Sequence, residues 1–426
     1  MHTSTITNDI DQSKANHPTV HSTRQTVIWA LQCLSVIVLM ALLTSVYAQS
    51  KALAALPAQI ALETEAVLCL PGIYALPSED CVLAGPAAYL TGMAELGITF
   101  PAAPLAAQRP NPELTYSTYQ YARLKENEDT PIYATAEQAV KDQSPATYIE
   151  AGELRYISYV DESYLTGGSK PDAFLLRSGG WVSARSVMRR ENAISRFQGL
   201  EFTTTPQHPV AWIRPLNPSI ETKRTPGYKL NDYTGNVLWE YTVVQVYATQ
   251  TVGDVEWLMV GPDEWIEKRL ASLVTPNATP PEGVTNGRWI EVNLEEQTLA
   301  VYDQNRLVFA TMIASGVEPY FTRPGLFPIY KKLESTPMAG AFSADRSDYY
   351  LLQDVPWTMY YDKARALHGA YWRTRFGYPQ SHGCVNLSPG DAHWLFNWSQ
   401  EGDWVYVWDP SGQTPTDPQF YGEGGA

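Results

Sequence analysis

Three of the seven histidines, His368, His382 and His393, fall within 26 residues of one another and bracket Cys384, the only cysteine in that stretch. A thiol attacks as its thiolate, an ordinary cysteine titrates near about 8.5, and a neighbouring imidazole can take the proton. His368 is the natural base. Sixteen positions separate it from Cys384, so the two cannot be neighbours on one helix, but adjacent strands joined by the loop YWRTRFGYPQ could face them together. A base working near neutral pH is what an unperturbed histidine supplies. Gly383, just before the thiol, lets backbone approach closely, so amides around Cys384 could hold a developing oxyanion. A lone cysteine is more often a small buried hydrophobe, and a zinc site from Cys384, His382 and His368 lacks a four-ligand pattern. Tyr360, Tyr361, Tyr371 and Trp372 either line a cleft or fill a core.

The elements that must position these groups start after residue 286. WIEVNL, QTLAVY and LVFATMIASG read as short strands of a meander. A helix begins at Ser388, where the serine caps, Pro389 takes the first helical position, Asp391 completes the box, and Ala392, Leu395 and Phe396 form one apolar stripe. His393 on that helix faces solvent or packs. DWVYVW closes as a strand, and the Pro/Gly-rich tail 410–426 offers no core.

The stretch HGAYWRTRFGYPQSHGCVN resembles the signature of the L,D-transpeptidases, the YkuD-type catalytic domain: an upstream His, then Ser-His-Gly-Cys-x-Asn. The resemblance covers residues 287–409 and includes TRPGLFPIYKK, similar to the family's Thr-Pro-Gly-containing segment. It implies Cys384 as nucleophile and His368 as general base, with the Gly369 region fixing the ring. Ser381, His382, Gly383 and Asn386 would shape the oxyanion and substrate site. The spacing from His368 to Ser381 is at the short end of the family's range. The implied reaction joins peptidoglycan stem peptides: the thiolate attacks the carbonyl of the third residue, D-alanine leaves, and an amine of a second stem resolves the thioester. No metal or cofactor is needed, and carbapenem-type inhibitors are expected to acylate the cysteine. Two alternatives stay open: a carboxypeptidase that uses water as acceptor, and a non-catalytic wall-binding scaffold.

The rest of the 426 residues set the context. A net charge of −15 repels phosphate backbones and argues against nucleic acid as a partner. Aromatics at 12%, with 31 Pro and 28 Gly, favour short strands and turns. After a polar tail, 1–26, the uncharged run 27–48 is long enough to cross a bilayer or to serve as a secretory leader, with Val46 and Ala48 at the positions a signal peptidase reads. Either reading places residues 49 onward in the cell envelope, outside the cytoplasm, where Cys69 and Cys81, flanking a short loop, can form a disulfide. Residues 49–112 read as a spacer with a Pro-punctuated end.

Two segments, 113–190 and 195–275, echo each other in short aromatic and β-branched runs, with Phe174 before Trp181 and Trp257 before Trp265. They resemble bacterial Src-homology-3-like domains, small barrels that would position the wall or substrate. A linker, 276–286, precedes the catalytic segment. The expected fold is mainly β: a β-sandwich-like catalytic domain with one helix, preceded by two small barrels and an N-terminal membrane or signal helix.

Overall fold

The computed structural model describes residues 105–190, 197–346 and 348–422. The run 27–48 and the pair Cys69 and Cys81 lie outside the described residues. Among the described residues, no helix is long and apolar enough to cross a membrane. The chain is mainly β, as expected, with two α-helices among the described residues, Ala136–Lys141 and Pro389–Trp398. The first went unread in the sequence, although Thr135 and Gln138 form a capping box.

The meander forms as read. Trp289–Asn293 pairs antiparallel with Thr298–Asp303, which pairs with Arg306–Met312. Trp404–Trp408 joins parallel to Trp289–Asn293. Both faces of this sheet are buried. Ile290, Val292, Leu299 and Val301 face a core shared with Leu367, Val385 and Leu395. Trp289, Ala300 and Tyr302 pack on the other side with Val210, Trp212 and Val274. A strand covered twice has no solvent side to make polar, which accounts for the unbroken apolar run Leu299, Ala300, Val301, Tyr302.

The helix Pro389–Trp398 begins where its signals place it, with the Ser388 hydroxyl accepting the Asp391 N–H at 3.2 Å. Asp391 meets the cap through the Ser388 hydroxyl and not through the backbone N–H that a capping box would use. Its carboxylate accepts from the Gly199 N–H, from Thr311 Oγ1 at 2.9 Å and from Ser388 Oγ at 2.7 Å, which ties the helix to the sheet. Complete burial pushes its pKa up to about 7 against these favourable hydrogen bonds.

A second sheet carries the candidate chemistry. Its spine is the 13-residue strand Tyr350–Asp362, which forms a hairpin with Lys331–Gly340 along one edge. The other edge is shared by two strands. Arg365–Gly369 pairs with its C-terminal end, Met359–Asp362, and Leu154–Ser163 pairs parallel with its start, Tyr350–Leu352. Between them the sheet forks. Tyr121 and Tyr371 stack in the fork with ring centroids 3.5 Å apart. Their hydroxyls donate to the carbonyls of Asp354 at 2.7 Å and Gln353 at 2.8 Å, backbone groups that a neighbouring strand would otherwise satisfy.

The expected barrels do not close among the described residues. Leu154–Ser163 is an internal strand, flanked by Gln120–Leu124 on one side and Tyr350–Asp362 on the other, so segment 113–190 extends the second sheet. In the following segment, a three-stranded sheet and a five-stranded sheet enclose Ala211, Ile213, Leu258 and Ile266. The linker 276–286 has no helix or strand, yet Val284 is buried in the core beneath the first sheet. Near the chain end Tyr421 is buried against the Arg365 guanidinium, 5.2 Å from its ring centre.

If the tyrosine pair holds the fork, Tyr121→Ala should cost about 3–5 kcal/mol and Tyr121→Phe about 1–2 kcal/mol, the cost of orphaning a buried carbonyl. Urea denaturation of the full chain measures both, and a near-neutral Tyr121→Ala would show that the ring pair is not structural.

Candidate active site

His368 sits on Arg365–Gly369, and that strand pairs parallel with Val385–Leu387, placing His368 directly opposite Asn386. Cys384 immediately precedes the second strand. Opposed residues on neighbouring strands put their side chains on the same face, and His368, Cys384 and Asn386 line one cavity. The two strands are adjacent and joined by the loop, as anticipated in the sequence, and their pairing is parallel, which makes that loop a crossover. Cys384 is 5% exposed and His368 2%.

The motif's other residues brace this arrangement. Ser381 Oγ donates to the Cys384 carbonyl at 2.5 Å and accepts the Gly383 N–H at 3.2 Å, which closes the turn ahead of the thiol. Gly383 has φ of 116°, a left-handed conformation that side chains disfavour. Thr322 Oγ1 donates to the Gly383 carbonyl at 2.9 Å. Gly369 is held for a different reason, since a Cβ there would meet Pro356 Cγ at 3.1 Å and Pro389 Cα at 3.2 Å. The His382 ring stacks on Phe342, 4.5 Å away and 15° from parallel, so the loop of the long hairpin leans on the motif. His393 lies elsewhere, stacked on Trp357 at 3.8 Å with Nδ1 against the Leu114 carbonyl at 3.1 Å. Of the four aromatic residues considered for a cleft, Trp372 lines the cavity, while Tyr371 is core.

Several lining residues carried no signal in the sequence. Met338, Tyr350 and Leu352 come from the hairpin and Leu154 from segment 113–190. Leu154 arrives there because its strand pairs with Tyr350–Leu352, and the bidentate ion pair of Arg346 with Glu150, 2.8 Å at each oxygen, fastens the hairpin loop to the same segment. Arg373, from the crossover, also faces the cavity. Its Nε donates to Asn386 Oδ1 at 2.6 Å, and its terminal nitrogens donate to Gln380 Oε1 at 2.9 Å and the Gln380 carbonyl at 2.5 Å.

That guanidinium fixes the proton inventory. Because arginine only donates, Asn386 must turn its oxygen to Arg373 and its amide nitrogen to His368 Nε2, 3.4 Å away. His368 Nδ1 lies 3.4 Å from the Gly369 carbonyl. The consistent assignment is a neutral ring with the proton on Nδ1 and a lone pair on Nε2. Burial first, and the Arg373 charge with it, lowers the His368 pKa to about 4, against the Gly369 carbonyl that favours the charged ring. Burial pushes the Cys384 thiol up to about 11, against the Ala366 backbone and the Arg365 charge. The expectation of a histidine titrating near its ordinary value is therefore corrected: desolvation disfavours both charged forms.

Residues 287–407 match the family model of the YkuD L,D-transpeptidase catalytic domain. This part of the chain is similar to the YkuD-type L,D-transpeptidase catalytic domain. Solved structures similar to the chain include an L,D-transpeptidase (Yku) from Stackebrandtia nassauensis, 27% identical over 32% of this chain and 60% of that one, with a TM-score of 0.24. The catalytic domain of an E. faecium L,D-transpeptidase is 27% identical over 30% of this chain and 100% of its own length, with a TM-score of 0.26. The same domain acylated by ertapenem is 28% identical over 30% of this chain and 100% of that one, with a TM-score of 0.27. No curated protein matches the chain. The YkuD domain begins just before the first strand of the meander and ends within its closing strand, so it holds the motif, the crossover and the hairpin, while Leu154 lies outside it.

The shifts dictate a pH response. Below about 4 the His368 ring is charged and above about 11 the Cys384 thiol is ionised. Between them both groups are neutral, and at pH 7 the thiolate is about one part in ten thousand. Alkylation of Cys384 by iodoacetamide should therefore rise about tenfold per pH unit from 7 to 10, measured by intact mass. A plateau at pH 6–7 would instead reveal a preformed thiolate–imidazolium pair.

Proposed function

We propose that the chain is a peptidoglycan L,D-transpeptidase acting in the cell envelope, with Cys384 as nucleophile and His368 as general base. The observation that carries this reading is the parallel pairing that puts His368 opposite Asn386 and beside the Cys384 turn, within a segment matching the L,D-transpeptidase catalytic domain.

The neutral resting pair suits proton transfer coupled to attack. As Sγ bonds to the carbonyl carbon of the third stem residue, the thiol proton passes to the Nε2 lone pair, and the charge that burial suppresses in isolation forms only alongside the oxyanion. Collapse of the tetrahedral adduct breaks the peptide C–N bond, and the imidazolium returns its proton to the departing D-alanine amine. The thioester is then attacked by an amine of a second stem. Its excess proton goes to His368 and from there to the released sulfur, so the enzyme is regenerated without net proton gain. Asn386, oriented by Arg373, keeps the ring proton on Nδ1 by donating to Nε2, a long contact of 3.4 Å that gives way as the thiol proton arrives, and the Gly369 carbonyl stabilises the ring once it is charged.

The cavity is small, about 40 Å³, walled by Met338 and Tyr350 of the hairpin. The E. faecium catalytic domain has been observed acylated by ertapenem, and we expect the same electrophile to acylate Cys384.

Intact-mass measurement after incubation with a tetrapeptide stem tests the reading. The wild type should gain the acyl mass at Cys384, Cys384→Ala should gain none, and His368→Gln should acylate about a hundredfold or more slowly. Acylation of Cys384→Ala to the wild-type extent would place the nucleophile elsewhere.

A further inference from the structure

We propose that Arg373 is the recognition point for the free C-terminal carboxylate of the donor stem. The inference rests on the transpeptidase reading for the identity of the ligand, and on the charge and hydrogen-bond inventory of one side chain for the site.

Several arginines near the site have acidic partners. Arg365 and Arg323 share Asp362, at 3.0 and 3.1 Å, and Arg346 pairs with Glu150. Arg155 and Arg373 have no such partner among the described residues, and they differ instructively. Arg155, 1% exposed, spends its donors on the carbonyls of Gly152, Glu150, Lys125 and Glu128 and on the Thr130 hydroxyl. It is a structural staple with nothing left to offer. Arg373 makes three hydrogen bonds, to Asn386 and Gln380, out of five N–H donors. One N–H on each terminal nitrogen remains for a ligand, and a donor on a cation makes the stronger, charge-assisted bond to an anionic acceptor.

The placement is equally specific. Arg373 lines the same cavity as Cys384 and His368. Withdrawal from water lowers its pKa to about 10, the signature of a cation held where its charge is poorly compensated. The charge of Asp348 reaches His382 in this corner but does not register on Arg373. The Asp348 oxygens are committed to the backbone N–H groups of Phe342 and Ser343. An uncompensated cation in a cavity wall selects an anionic ligand.

A donor that loses its terminal residue supplies one. The carboxylate of the departing residue lies a single residue beyond the scissile carbonyl, so an anchor for it belongs within one residue's length of the nucleophile. The grip of Asn386 and Gln380 holds the guanidinium in place, so its remaining donors are oriented before the ligand arrives. An amide at that terminus would offer a neutral acceptor and would bring N–H groups toward a cation. The consequence is selectivity for stems cut at their last residue, over amidated termini and internal bonds.

The test compares a tetrapeptide donor with its C-terminal amide on the full chain. In the wild type, acylation of Cys384 should favour the acid by about tenfold or more, the worth of a charge-assisted pair. In Arg373→Gln that ratio should collapse toward one, and Arg373→Lys should keep part of it, because charge without the fork gives one contact. The proposal is overturned if Arg373→Gln keeps the wild-type ratio, including when it slows both donors alike, which would mark an oxyanion or purely structural role. It is also overturned if the wild type treats both donors alike. Should neither donor acylate the wild type, calorimetry on Cys384→Ala decides. Tighter binding of the acid, lost with Arg373→Gln, upholds the carboxylate site while the enzyme reading fails; equal binding, or none, overturns both. The acid-to-amide ratio in unmodified protein needs no substitution, so a misfolded variant does not blunt the test.

Discussion

The pairing of Arg365–Gly369 with Val385–Leu387 is the constraint on which the rest depends. It is parallel, so it requires a crossover, and the crossover 370–384 carries Trp372, Arg373, Ser381, His382 and the cysteine itself. The ladder sets His368 against Asn386, and Arg373, from the same crossover, sets the orientation of Asn386. One strand pairing thereby fixes the geometry, the tautomer and the local charge. It also sits over the shared core of the two sheets, where Leu367, Val385 and Leu387 are fully buried, so a slip of one residue would turn His368 and Asn386 inward and the apolar side chains into the cavity.

Burial gives this site its character. Placing a thiol and an imidazole in a poorly hydrated pocket makes the charge-separated state costly at rest, and the neighbouring arginine makes it costlier for the ring. The Cys384 thiol is thus held mostly in its neutral, weakly nucleophilic form near neutral pH. Charge develops where donors and a bound partner can answer it, and that is the condition under which a low-dielectric site helps a reaction.

What the sequence made legible divides along a physical line. Local signals survived: the Ser388 cap and Pro389 located a helix to the residue, the meander strands formed, and the Ser-His-Gly-Cys-x-Asn cluster marked the cavity. Each depends on neighbours within a few positions. Pairing between distant segments leaves no such trace. Nothing in LRYISYV reveals that Leu154 will meet Tyr350, because an internal strand of a small barrel and an internal strand of a larger sheet have the same apolar, β-branched composition. Arg373 was passed over for a related reason. An arginine between exposed turn residues reads as solvated, and only Asn386 and Gln380, placed by the fold, hold it at the cavity. The displacement of the His368 pKa was likewise invisible, since it arises from what covers the ring.

The forked sheet has a further implication. Where two strands part company along a common edge, their separation is set by whatever fills the gap, and here that filler is a pair of flat phenol rings in face-to-face contact. One ring belongs to the loop that leads away from His368; the other is contributed some 250 positions earlier in the chain. The rings act as a shim, and the width of the crevice is gauged by the thickness of aromatic carbon, a dimension that neither pH nor salt alters. Transplanting the crossover alone onto another scaffold would leave that gauge behind.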